Sequence, residues 1–281
     1  MAKYKLITID IDGTLLNSEG QISLRVRTAI EKAEAQGCLI TLATGRRQIS
    51  AREVAQDLGV GLPLILYNGS LIYDTAKDEA LYHNPIPPEF IRQSAETILS
   101  AGMQPVLAQS PLSGERVFLG PPELDNEFIR DFATNPHRAH LISRVNFAEM
   151  PLIPNILTVS TVGALNNTTP LMQVFREQLD CQIYSYRLRY KAATGMHGFD
   201  VMRPDVHKGV ALAWLAEHFG IAISETMAIG DNYNDIDMLK TASLGIAVKN
   251  AAPEVKAAAK IIVSSNDEDG VAEAIEQYVL A

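Results

Sequence analysis

Two carboxylates, Asp10 and Asp12, stand two residues apart and are followed by Gly13 and Thr14. They close a short apolar run, residues 5–9, that reads as a buried strand. At a strand end both carboxylates can face one ligand. One of them could attack phosphorus and carry the phosphoryl group as an aspartyl ester. The other could protonate the leaving oxygen and then activate water. Gly13 would let the backbone turn away sharply. The plainer reading of the same residues is an acidic turn pivoting on glycine.

Three further clusters could join them. Thr44, Gly45 and Arg46 fall between an apolar strand at 39–43 and a helix at 47–58. A hydroxyl, an amide and a helix N-terminus make a phosphate cradle, although alone they are also an ordinary helix cap. Lys208 stands near the start of a helix at 206–219. A cation there opposes the helix dipole unless an anion offsets it; the plainer alternative is a solvated surface lysine. Gly230-Asp231-Asn232-Tyr233-Asn234-Asp235 follows an apolar strand at 227–229. Carboxylates there, near Asp10 and Asp12, would form an oxygen-rich pocket of the kind Mg²⁺ prefers while it also binds phosphate oxygens. Asp235 alone could be only an acid at a helix start, and Asp237 reads as a solvated helix residue. The combined set suits phosphoryl transfer, because Mg²⁺ and Lys208 would offset the repulsion between a carboxylate and a phosphate dianion.

Such residues need a scaffold that gathers strand ends. Strands at 5–9, 39–43 and 64–66 alternate with helices at 23–36 and 47–58, and alternation resumes after residue 198. That pattern predicts a parallel sheet covered by helices, with ligands outside the carboxyl ends of the strands. Asn68-Gly69 reads as a tight turn into a returning strand at 71–73. Between them the order changes. Asn84-Pro85-Ile86-Pro87-Pro88 is a break suited to a domain junction. Beyond it the sequence predicts helices at 89–99, 121–133 and 170–179 among strands at 104–108, 116–119, 155–162 and 181–188. The fold class is therefore α/β: a Rossmann-like parallel-sheet core over 1–82 and 196–281, interrupted by an inserted α+β domain over 83–195.

The chain has 281 residues, 47% of them hydrophobic, and a formal net charge of −9, so it can bury a core but carries no basic footprint for nucleic acid. No apolar stretch approaches the ~20 residues that span a membrane. The N-terminal apolar run is too short for a signal peptide, which predicts a cytoplasmic protein. Cys38 and Cys181 read as free thiols in a reducing compartment.

The motif order resembles a known family. Asp-x-Asp-Gly-Thr at 10–14, Thr-Gly-Arg at 44–46, Lys-Gly at 208–209 and Gly-Asp-x-x-Asn-Asp at 230–235 are similar to the motifs of haloacid dehalogenase superfamily phosphatases. The arrangement is most similar to the Cof-type branch, whose C2-type cap is inserted between the second and third motifs. Tyr67-Asn68-Gly69 and Asp269-Gly270-Val271-Ala272 extend the likeness. The resemblance implies that Asp10 is the nucleophile and a metal ligand. It implies that Asp12 is the general acid/base, its carbonyl also on Mg²⁺, and that Asp231 is the third protein ligand. Thr44, Gly45 and Lys208 would grip phosphate. Asn234 would assist the phosphate or position Asp231, Asp235 would orient the lysine or the metal's waters, and Arg46 would support the site. A small phosphorylated metabolite is the implied substrate, with the cap reading its identity. Arg47 and His207 depart from the usual pattern and affect only the rim. Arg187, Arg189 and Lys191 read as a solvated strand face, the alternative being a binding patch for a substrate anion.

A phosphomutase or phosphotransferase would share every motif and differ only in the final acceptor. A phospho-ligand-binding protein on the same scaffold would leave the nucleophile, acid/base and metal ligands without a purpose. A dehalogenase needs no metal and gives Asp12 no role. A receiver domain is shorter and places its accepting aspartate after a later strand.

Overall fold

The computed structural model describes residues 3–147, 153–188 and 195–281. The chain divides into two compact units, Met1–His83 with Asp205–Ala281, and Asn84–Pro204.

The first unit opens with β1 (Leu6–Ile9), whose residues are all buried, as in a strand covered on both faces. Helix α1 (Leu24–Ala35) starts at Ser23, whose hydroxyl accepts the Val26 N–H at 3.2 Å. It buries Val26, Ala29, Ile30 and Ala33, the spacing of one helical face. β2 (Leu39–Leu42), α2 (Gln48–Leu58) and β3 (Leu64–Leu66) follow. β3 then pairs antiparallel with β4 (Leu71–Asp74), and β4 with β5 (Glu79–His83). The sequence pattern had no strand at β5, which is only half-buried.

The second unit contains α3 (Pro88–Ser100), β6 (Val106–Gln109), β7 (Val117–Leu119), α4 (Glu127–Thr134), β8 (Ile142–Arg144), β9 (Ile156–Ala164), α5 (Leu165–Gln178), β10 (Gln182–Arg187) and β11 (Met196–Met202). Its sheet runs β10-β11-β9-β6-β7-β8. Its core gathers Ile91, Ile98, Leu107, Val159, Phe175, Phe199 and Val201. The sequence-based boundary at 195/196 needs correction. β11 pairs with both β9 and β10, so its ladder ties residues 196–202 to the inserted unit. Two helices also differ from expectation. The helix expected at 121–133 is a 3₁₀ turn, Pro122–Leu124, then α4, capped anew by Asn126. Helix α5 begins before Pro170 rather than at it, with the proline in its second turn. Arg189 and Lys191 lie outside the described residues.

The chain returns to the first unit through α6 (Lys208–His218), β12 (Thr226–Gly230), α7 (Ile236–Thr241), β13 (Leu244–Val248), α8 (Pro253–Ala258), β14 (Ile261–Val263) and α9 (Gly270–Tyr278). The main sheet has the order β14-β13-β12-β1-β2 and every pair is parallel. The chain leaves β1 toward β2 on one side and later fills β12, β13 and β14 on the other. The strand order therefore reverses between β1 and β12, where open α/β sheets form their ligand crevice. Cys38 and Cys181 are both free. Among the described residues no helix is long and apolar enough to cross a membrane.

Candidate active site

Asp10 and Asp231 each follow the last residue of a strand on either side of this reversal, and Ile9 is registered against Ile229. The Asp10 N–H donates to the Ile229 carbonyl at 3.0 Å, so the two loops leave the sheet side by side. Carboxylate oxygens of Asp10, Asp231 and Asp235, one from each, all lie within 4.8 Å of one another.

Lys208, the first residue of α6, is fully buried. Its ammonium donates to Asp10 Oδ1 and to Asp235 Oδ1, both at 2.6 Å. Asp235 Oδ2 accepts the N–H groups of Asp231 and Asn232, each at 3.0 Å. Asp235 thus spends its oxygens on the lysine and the loop. Asp10 does not: among the described residues no donor reaches Oδ2. The Asp231 carboxylate is held by Thr14, whose hydroxyl donates to Oδ1 at 2.8 Å.

Charge is unbalanced here. Burial pushes the Asp10 carboxyl well above the usual carboxylate range; Asp235 adds to this, Lys208 opposes it, and Asp231 and Asp12 add further. Burial by itself would lower the Lys208 ammonium, but the charges and hydrogen bonds of Asp10 and Asp235 outweigh it and raise it. Three clustered carboxylates face one buried ammonium, so a hard divalent cation suits the donor set.

Asp12 is not in that carboxylate cluster. Its side chain is 56% exposed and meets Arg46 as a fork, Nε to Oδ2 at 2.7 Å and Nη2 to Oδ1 at 2.6 Å. Thr44 is buried, and its hydroxyl accepts the Arg46 N–H at 3.1 Å. The Gly45 N–H donates to no described residue. Asn234 Nδ2 donates to Asn68 Oδ1 at 2.8 Å. Asp10, Asp12, Thr44, Gly45, Arg46, Asp231, Asn234 and Asp235 lie just beyond the carboxyl ends of main-sheet strands, and Lys208 reaches Asp10 and Asp235 from the first turn of α6. His207 is a cap: its Nδ1 accepts the Val210 N–H at 3.3 Å and starts α6.

Some supporting residues escaped the sequence reading. Asn250, just past β13, donates to the Gly13 carbonyl at 2.7 Å and accepts the Asn266 N–H at 3.0 Å. Its signal was its place beyond a strand's carboxyl end, shared with Asp10 and Asp231. Gly13 has φ +89°, and a Cβ there would lie 2.5 Å from Asp231 Oδ2. Only glycine lets these two loops approach so closely.

The model of the haloacid dehalogenase-like hydrolase family matches residues 7–275. The chain belongs to this family. Its Bacillus subtilis relative phosphatase YwpJ is 30% identical over 288 residues, covering 95% of this chain and 97% of the relative. Another from the same organism, 5-amino-6-(5-phospho-D-ribitylamino)uracil phosphatase YwtE, is 31% identical over 293 residues, covering 98% of each. The solved structure of a sugar phosphatase of subclass IIB superposes with a TM-score of 0.77 at 26% identity, covering 98% of each chain. The family match and these phosphatase relatives together make this member of the family an enzyme of the phosphatase kind.

Proposed function

We propose that the chain is a Mg²⁺-dependent phosphomonoesterase for small phosphorylated metabolites, sugar phosphates foremost, working through an aspartyl-phosphate on Asp10. The observation that carries this reading is the state of Asp10: Oδ1 is anchored 2.6 Å from Lys208 and Oδ2 receives no donor among the described residues. A buried carboxylate so held presents one oxygen to an incoming phosphorus.

Asp10, Asp231 and the Asp12 carbonyl would hold Mg²⁺, whose charge would neutralise phosphoryl oxygens as the bond changes proceed. Asp10 Oδ2 forms the new bond to phosphorus while the bond to the leaving oxygen breaks. Asp12 gives that oxygen its proton, then takes one from the water that attacks the aspartyl-phosphate, and Asp10 departs as a carboxylate. Lys208 balances the charge on Asp10 throughout. Thr44, Gly45 and Asn234 hold the phosphoryl oxygens, and Arg46 holds Asp12.

The names of YwtE and of the subclass IIB structure both refer to phosphomonoesters of hydroxylated carbon chains, which supports that substrate class. Selection within the class is assigned to the inserted unit, Asn84–Pro204. The test is phosphate release from a panel of sugar, polyol and nucleotide phosphates, with Mg²⁺ and with a chelator, for wild type and Asp10→Asn. Release with Mg²⁺ alone, absent in the folded variant, is the expected result. Transfer to a second hydroxyl in place of water would move the assignment to a phosphotransferase. Tight binding without turnover would move it to a phospho-ligand-binding protein.

A further inference from the structure

Beyond the motif residues, the turn Tyr67–Gly69 has a backbone that calls for explanation. All three residues are buried and all have positive φ: 49° at Tyr67, 56° at Asn68 and 103° at Gly69. A tyrosine there is sterically disfavoured, and asparagine tolerates it better. Such backbone persists only where its surroundings over-determine it.

The surroundings are three loops of the active site. The Tyr67 N–H donates to the Arg46 carbonyl at 3.2 Å and the Asn68 N–H to the Thr44 carbonyl at 3.1 Å. Gly69 abuts the peptide that starts α6, where a Cβ would lie 2.6 Å from the His207 carbonyl oxygen. Asn68 Oδ1 accepts from Asn234 Nδ2 at 2.8 Å. Asn234 Oδ1 is buried and has no hydrogen-bond partner among the described residues. The bond to Asn68 therefore orients the Asn234 amide. It uses one of two N–H bonds on Nδ2, and amide planarity fixes the direction of the other.

We infer that Asn68 is a positioning residue for the phosphate site. Its backbone holds the Thr44–Gly45 loop, and its side chain aims the Asn234 amide. The inference rests on the phosphatase reading above and adds the link between the two loops.

Asn68→Gly separates the two duties, because glycine adopts the left-handed backbone freely but carries no amide. The variant is expected to melt within a few degrees of wild type. Its kcat/KM is expected to fall at least about tenfold, the scale of a small misplacement of a binding group. Its affinity for inorganic phosphate in the presence of Mg²⁺ is expected to weaken in parallel. Asn234→Ala should match it, and the double variant should be no worse than Asn234→Ala alone, as for two groups acting as one.

Wild-type kcat/KM and phosphate affinity in Asn68→Gly, or additive losses in the double variant, overturn the inference. If Asn68→Gly does not fold, Asn234→Ala decides, since it leaves the turn's backbone untouched: unchanged phosphate affinity there overturns the inference. A wild-type protein that binds phosphate but hydrolyses no ester refutes the phosphatase reading alone, and the cycle is then read in phosphate affinity. A wild-type protein that does neither refutes both.

Discussion

Lys208 Nζ stands 2.6 Å from Asp10 Oδ1 and 2.6 Å from Asp235 Oδ1, with its own side chain wholly withdrawn from solvent. One ammonium thus balances two buried carboxylates, and removing it leaves both uncompensated. Breaking such a pair costs about 3–5 kcal/mol. Lys208→Met is therefore expected to lose turnover and to melt well below wild type in chelator. Mg²⁺ should restore part of the melting temperature, because a cation at the proposed ligands Asp10 and Asp231 would replace some of the missing charge. Thermal melts with Mg²⁺ and with EDTA read both effects. A variant as stable as wild type in EDTA would contradict a buried ion pair.

Asp12 lies outside the cluster of Asp10, Asp231 and Asp235, and its carboxylate is open to solvent on the Arg46 fork. That separation fits a group that exchanges protons rather than one that binds metal through its side chain. For Asp12→Asn, hydrolysis of an alkyl phosphate is expected to slow by about 10²–10⁴, the usual contribution of general acid catalysis. p-Nitrophenyl phosphate, whose leaving oxygen needs no proton, should lose far less in the phosphorylation step. Burst-phase kinetics on both esters provide the measurement. Equal losses in that step would remove Asp12 from the acid role.

The carboxylates of the candidate site were legible in the sequence because they sit at strand ends, where apolar runs stop abruptly on polar groups. Asp10 after Leu6–Ile9 and Asp231 after Thr226–Gly230 are marked in this way. The turn after β3 was readable because Asn68-Gly69 is a local turn signal, although the contacts that hold its backbone come from other loops. What could not be read depends on pairing across long stretches of chain. No strand was read over residues 196–202, which were placed in the first unit, and only the ladders of β11 to β9 and β10 tie them to the second. β5 and β8 are short and half-buried, so their periodicity is weak. The Asn250–Gly13 and Asn234–Asn68 bonds join residues 237 and 166 positions apart, beyond any local signal.

Gly13 offers a test of the proposed metal loop that spares every carboxylate. A Cβ at this position would lie 2.5 Å from Asp231 Oδ2, and φ is +89°. Gly13→Ala therefore combines backbone strain of about 1–2 kcal/mol with displacement of Asp231. Metal affinity is expected to fall by about 10–100-fold, as when a ligand's support is disturbed. Isothermal titration with Mg²⁺ measures this directly. Unchanged affinity would mean that Asp231 is not held by this approach, or is not a ligand.

Acid sensitivity is predicted for the inserted unit from Asp125 and Arg144. Arg144 Nη1 donates to Asp125 Oδ1 at 2.9 Å, Nη2 donates to Oδ2, and Gln104 Nε2 also donates to Oδ1. Burial raises the Asp125 carboxyl, but the bonds from Arg144 and Gln104 outweigh it and hold it below its ordinary value. The folded carboxyl therefore binds its proton less readily than the unfolded one. Its contribution to stability is present above the ordinary carboxylate range, ~4, and is lost as pH falls through the depressed folded value. Hydrogen exchange of the paired strands Val117–Leu119 and Ile142–Arg144, corrected for intrinsic rates, should show protection that holds at neutral pH and falls once the pH drops below the ordinary carboxylate range. Arg144→Met removes the main partner, so its protection should already be low at neutral pH and depend less on acid. Parallel acid profiles in the two proteins would show that another group governs this part of the sheet.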